Sequence, residues 1–427
     1  MRSRQRRRSA RSSRALRPGR GSDPRGTDTE QILKDPWVGR GLRVALVTSS
    51  FHPYVGGVEE HVRSVARELT ERGHHVEVWT VDRGLGLGRR THDGVAVEHL
   101  ATPLPARSLS DVARFLRLVP GAAVAWWRAA RRFRPDVLHV QCFGPNGVYA
   151  TGLAAVLRCP LVVSSHGETF ADDHGVFDKS VLIRSALRSA LRRADAVTGC
   201  SIVVVDHLRA EFGLQGGDVV PNGVEITGPM DEEERVAVVG LGRLERVKGF
   251  DLLVEAFATA DLPPEVGLVL AGSGSQAGSL HSQAASLGVA TRVSMPGAID
   301  RDQVKALLAS AAVVVVPSRR ESFGMVVLEA WLAGAALVVT DRDGPASLVL
   351  DGVTGLVVDP TDIDALARSI RRVIEDADLA DAITEAGSRA VLDYSWSRVA
   401  ELYEGLYAGC VGMNPVPLPD RREPVTW

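Results

Sequence analysis

Short runs of aliphatic and β-branched residues, each followed by a stretch with helical spacing, recur along most of this chain. RVALVTS (43–49), HHVEVWT (74–80), GVAVEHL (94–100), DVLHVQ (136–141), PLVVSS (160–165) and AVTGCS (196–201) form one set. A second set runs from Val236 to about Tyr394, and VVVVP (313–317) is its most apolar member. Apolar strands alternating with helices define a parallel sheet covered on both faces. The chain therefore reads as an α/β protein of two Rossmann-like, doubly wound domains, 41–227 and 228–395, with ligands in the cleft between them. The acidic stretch GPMDEEER (228–235) reads as the connection. SWSRVAELYEGLYAG reads as an amphipathic helix within 396–412, before a Pro-rich tail at 413–427. Residues 1–40, rich in Arg, Ser and Gly, are expected to be disordered and to act as an inert tail, with attraction of anionic lipid or nucleic acid by the arginines as the alternative.

Composition narrows the function classes. The 427 residues allow two domains with ample core, and 45% hydrophobic and 24% charged residues suit an ordinary globular enzyme. A net charge of −2 provides no global field for nucleic acid. Cys142, Cys159, Cys200 and Cys410 lack metal-site spacing, as expected of a reduced, cytoplasmic protein. No apolar run reaches membrane-spanning length, and the N-terminus lacks the apolar centre of a signal peptide.

Chemistry concentrates where predicted strands end. In VVGLGRLERVKGFDLLVEAF (238–257), Gly242 permits a sharp turn, and Arg243 and Lys248 place two cations beside a helix start near Gly249. Cations together with free helix N–H groups make a site for a diphosphate. In PSRRESFGMVVLEAWLAG (317–334), Glu321 falls at a strand-to-helix turn and Glu329 two turns along the helix. Their eight-residue offset corresponds to roughly 12 Å along a helix axis, about the span from the sugar to the ribose of a nucleotide-sugar. His166 follows a strand at the sheet edge where ligands bind. Gly56 and Gly57 precede a helix and allow backbone amides close to a phosphate or an acceptor; Gly272 and Ser273 leave backbone room near a nucleotide. Glu168, Asp172 and Asp173 lie in a polar loop with access to acceptor hydroxyls, although simple solvation is the preferred reading of such acids.

These pieces, with VPNGV (220–224), LAGSGS (270–275) and FHPYVGGVEEHV (51–62), stand in the order found in the retaining glycosyltransferases of family 4, which the chain resembles over about residues 42–410. The resemblance implies the GT-B fold and a UDP- or GDP-linked sugar as co-substrate, with no other cofactor and no metal. It implies that His166 sits beside the donor sugar and that Glu321 holds sugar hydroxyls. The loop Ser322, Phe323, Gly324 and Met325 would meet sugar or phosphate, Glu329 the ribose, and Gly297, Ala298 and Ile299 the base. It also implies a last helix that crosses back to the first domain, and same-face displacement in which the leaving phosphate takes the acceptor proton. Two features depart from the family pattern. Ser347 stands where a glutamate is usual, and His139-Val-Gln141 replaces a common His-x-His. A sugar-nucleotide epimerase of the same fold, or a non-catalytic partner subunit, are the alternatives. Retention of Lys248 and Glu321 favours the transferase.

The acceptor is a small molecule, lipid or glycan, and the protein a monomer or homodimer. The segment FLRLVPGAAVAWWRAARRFR (115–134) combines Trp126 and Trp127 with arginines. It reads as a helix packed on the sheet, with weak peripheral membrane contact as the alternative.

Overall fold

A computed structural model of the protein describes residues 41–54, 56–105, 109–170, 176–226 and 237–413. The arm at 1–40, Asp172, Asp173, the acidic connection and the tail from 414 lie outside the described residues.

Among the described residues the first sheet has eight strands: β1 (Arg43–Thr48), β2 (His75–Val81), β3 (Arg89–His92), β4 (Val95–Leu100), β5 (Val137–Gln141), β6 (Leu161–Ser165), β7 (Ala196–Gly199) and β8 (Asp218–Val219). Their order is β3-β4-β2-β1-β5-β6-β7-β8, parallel except for the β3–β4 pair. The second sheet holds β9 (Ala237–Leu241), β10 (Gly267–Ala271), β11 (Val293–Gly297), β12 (Ala311–Val316), β13 (Ala336–Thr340) and β14 (Leu356–Val358). Its order is β11-β10-β9-β12-β13-β14, all parallel. In each sheet the chain winds first to one side and then to the other. The reversals fall between β1 and β5 and between β9 and β12, and the crevice outside the carboxyl ends of such strand pairs is where this architecture binds ligands.

Every strand read from the first set of apolar runs is present, but β3 was not anticipated. Its residues, RRTH, are polar and largely exposed, so no apolar alternation marks them. The signal that was available is Asp93-Gly94, both at positive φ (48° and 78°), which turns β3 back onto β4 as a two-residue hairpin.

Helices cover the sheets. In the helix Leu109–Phe133, Trp126 is buried, packs edge-on against Trp79 and donates its indole N–H to the Ala101 carbonyl at 3.1 Å. Trp127 faces outward with the Arg131 guanidinium 6.0 Å from its ring. The basic face is therefore on the solvent side of a packed helix, and no helix among the described residues is long and apolar enough to cross a membrane.

The helix Trp396–Cys410, capped by Ser395, is buried on nearly every side rather than along one stripe, so it is not the amphipathic surface helix its sequence suggests. The reason is its partner: it packs on the helix Gly57–Glu71 and on the first sheet. Buried Glu404 accepts from Arg72 at 3.0 Å and bonds His74 at 2.8 Å, and the Tyr403 hydroxyl meets His61 Nε2 at 3.1 Å. This helix thus lies against the first sheet, satisfying polar groups that would otherwise be buried alone.

Candidate active site

The loops after β9 and β12 carry the predicted cations and carboxylates, and the fold presses them together. After β9 the chain passes Gly242 and Arg243 into a tight turn, Arg246–Lys248, and then the helix Phe250–Thr259. Arg243 is exposed at the rim. The Gly242 N–H donates to Ala271 O at 3.0 Å, and the Gly272 N–H donates to Gly297 O at 2.8 Å. Leu244 N–H donates to Ser273 O at 2.9 Å, so Gly272 and Ser273 support the cationic loop through backbone. At Gly272 φ is 141°, and a Cβ there would overlap the Gly242 carbonyl. Only glycine allows the strand ends to come this close.

Arg319 is the strut between the two loops. It makes a fork of 2.6 and 2.7 Å to Asp251, donates to Arg246 O at 2.9 Å, and its N–H reaches Val247 O at 2.8 Å. Burial alone would raise the Asp251 carboxyl, but the Arg319 guanidinium holds it below the usual carboxylate range. Nothing in an Arg-Arg-Glu string singles this residue out; its role appears only with its partner 68 positions away. The strut places Lys248 opposite Glu321, and the two form an ion pair. Together with Leu241, Phe250, Ser318, Gly324 and Val326 they line a pocket between β9 and β12. The two residues given separate roles from sequence are therefore one unit in this state.

Beyond Glu321 the chain is held from behind. Asp343 accepts from Glu321 N–H at 3.1 Å, and Gly344 N–H donates to Glu321 O at 2.8 Å. Phe323 is buried, while Gly324 and Met325 open the helix Met325–Leu332 and leave its first amides toward the pocket. Glu329 lies on that helix, its carboxyl pushed up by burial and opposed by nearby Arg301. Ser347, in the usual glutamate position, bonds back to Gly344 O at 2.6 Å and stays within its own helix. Gly297 ends the edge strand β11, with Ala298 exposed and Ile299 half-buried on its rim.

The first sheet meets these loops directly. Ser201 Oγ donates to Ser322 O at 2.6 Å, and Gly167, at φ 94°, lies so close to Ser322 that a Cβ would overlap its side chain. His166 is thereby brought beside the Glu321 loop. Its Nε2 is 2.7 Å from Gln141 Oε1, and burial pushes the ring pKa down to about 4. Glu168 turns inward: Oε1 accepts from Phe143 N–H at 2.9 Å, and Oε2 accepts from His166 N–H at 2.7 Å and Ser165 Oγ at 2.9 Å. It staples the His166 loop, which corrects its assignment to the acceptor side: both oxygens are committed to the chain itself. Gly56 is extended and Gly57 starts the helix Gly57–Glu71 at the end of β1. No atom stands within 4 Å of where a Gly57 Cβ would be, so this stretch is open rather than crowded.

One further contact spans the cleft and was invisible in the sequence. Glu60, in the first turn of that helix, pairs with Arg301 on the far side and with Arg63 at 2.6 Å. Arg63 and Arg301 hold its carboxyl below the usual range against the opposing effect of burial.

Two family models match the chain in succession. The model of glycosyltransferase family 4 matches residues 55–227, and that of the glycosyl transferases group 1 matches residues 228–390. The chain belongs to the group 1 glycosyltransferases, with the GT-B fold. It is 29% identical over 401 residues to a glycogen synthase of Mycobacterium tuberculosis, covering 86% of this chain and 94% of that one. It is 25% identical to the alpha-D-kanosaminyltransferase of Streptomyces kanamyceticus, covering 81% and 98%. Among solved structures, HepE of Anabaena in complex with UDP superposes with a TM-score of 0.67 at 23% identity, covering 84% of this chain and 98% of that one.

Proposed function

We propose that this glycosyltransferase transfers a hexosyl group from a UDP- or GDP-sugar to a hydroxyl of a small molecule, lipid or glycan, with retention and without a metal. The observation that carries the reading is the Lys248–Glu321 pair at the β9/β12 reversal, with His166 and Gly167 pressed against Ser322. A sugar diphosphate entering the pocket gives Lys248 an anionic partner and frees Glu321 to accept sugar hydroxyls. Arg243, Lys248 and the first amides of the helix at Met325 stabilise the charge that grows on the leaving diphosphate. Glu329 takes the ribose, and the rim at Gly297–Ile299 takes the base.

As the bond from the anomeric carbon to the diphosphate breaks, the acceptor oxygen bonds that carbon on the same face, and its proton passes to the departing phosphate oxygen. Two cations already face the diphosphate, which is why no metal is included. The names of relatives point to both base classes: one structure holds UDP, and a mannosyltransferase of Mycolicibacterium smegmatis is named as GDP-mannose-dependent. Cleavage of UDP-glucose, UDP-GlcNAc and GDP-mannose in EDTA, with the product anomer read by proton NMR, tests the proposal. Inversion at the anomeric carbon, or cleavage that needs a divalent ion, refutes it.

A further inference from the structure

We infer that Gln141 is a positioning residue that fixes which nitrogen of His166 carries the proton. The inference rests on the reading that His166 meets the donor sugar. Gln141 ends β5 and is fully buried. Its side-chain oxygen lies 2.7 Å from His166 Nε2, and its amide nitrogen lies against the His139 ring, 3.2 Å from Nε2 and 3.5 Å from Nδ1. His139 Nε2 also meets Ser164 Oγ at 2.7 Å, and its Nδ1 meets the Tyr407 hydroxyl at 2.6 Å. The Tyr403 hydroxyl lies against the same amide. His139, Ser164, Tyr403 and Tyr407 are all buried, so water does not substitute for these partners.

A neutral imidazole has one N–H and one lone pair, and a primary amide offers oxygen on one side and N–H on the other. Burial pushes His139 down to about 3 and His166 to about 4, so both rings are neutral at ordinary pH. With the Gln141 oxygen toward His166, that ring holds its proton on Nε2. His166 then presents Nδ1 as its acceptor, to the Asn222 side chain that lies against the same ring or to a sugar hydroxyl that replaces it. A histidine at position 141 would be a ring without this fixed pairing of one donor side and one acceptor side.

Histidine-selective 15N labelling of the full chain, with long-range proton–nitrogen correlations at neutral pH, tests the link. The His166 signals are identified by their loss in His166→Asn. The wild type should show the Nε2–H form by at least about tenfold. Gln141→Glu, whose carboxylate also accepts from Nε2–H, should keep it, and Gln141→Leu should lose it. In cleavage of UDP-glucose or GDP-mannose, Gln141→Leu should lower kcat about tenfold with donor KM within about twofold, and Gln141→Glu should restore it. A His166 tautomer unchanged in folded Gln141→Leu overturns the inference, as does a kcat that does not follow the tautomer. If the wild type cleaves neither sugar nucleotide, the donor reading fails, while the spectra still decide whether Gln141 governs His166.

Discussion

Lys248 and Glu321, 73 residues apart in the chain, are ion-paired at the carboxyl ends of β9 and β12. Each is about one-fifth exposed or less, so the pair is neither deep in the core nor fully solvated. Removing one partner of such a pair leaves the other charge poorly compensated. A ligand with an anion for the lysine and hydroxyls for the glutamate replaces the pair without leaving either charge unpaired. On the proposed reading, donor binding exchanges the pair for contacts of its own.

Three buried histidines make the fold sensitive to acid. Burial holds His166 near 4 and His139 near 3, and places His61 well below its ordinary value, so the folded state refuses protons that the unfolded chain accepts near pH 6.5. Stability is full above pH 6.5 and falls as pH drops below it. The slope approaches about 4 kcal/mol per pH unit if all three contribute. Urea unfolding between pH 7 and 5 measures it, and His139→Asn should reduce the slope by about one proton.

Glu329 should show the opposite sign. Burial raises its carboxyl, so ionisation costs stability above the ordinary glutamate range and costs nothing below it. Glu329→Gln should melt roughly 1–2 °C higher at pH 7.5, with the gain gone by about pH 4, while nucleotide-sugar affinity falls. Melting curves at the two pH values, with and without nucleotide, check both halves.

The adjacent tryptophans separate packing from surface. Trp126→Ala removes a buried ring and an indole hydrogen bond and should cost about 3–5 kcal/mol. Trp127→Ala should change stability by no more than about 0.5 kcal/mol. Chemical denaturation of the two variants measures the contrast.

Two glycines separate crowding from openness. Gly272→Ala drives a Cβ into the Gly242 carbonyl at a φ of 141° and should destabilise by more than about 2 kcal/mol, loosening the Arg243 loop. Gly57→Ala meets nothing within 4 Å and should leave stability within about 0.5 kcal/mol. Denaturation midpoints distinguish them.

Much of this site was legible in the sequence because local signals coincide there. Apolar runs mark β9 and β12, glycines mark the turns that follow them, and Lys248 and Glu321 stand on those turns. What stayed hidden depends on tertiary pairing of ordinary residues. Arg319 looks like any surface arginine until Asp251 is opposite it, and the Glu60–Arg301 bridge joins positions 241 residues apart. Glu168 reads as solvated in a polar loop, yet the fold turns it inward to staple His166. The C-terminal helix misled in the same way, because its Tyr403, Glu404 and Tyr407 carry polar atoms whose buried partners belong to another domain.

On the proposed reading, the Lys248–Glu321 pair is the seat of a sugar diphosphate. Isothermal titration of the full chain in EDTA with UDP, GDP, UDP-glucose and GDP-mannose, beside folded Lys248→Ala, tests that reading. The wild type should bind one base class with micromolar affinity, weakened at least about tenfold in Lys248→Ala. Binding that appears only when a divalent ion is added, or equal affinity in the variant, would contradict it.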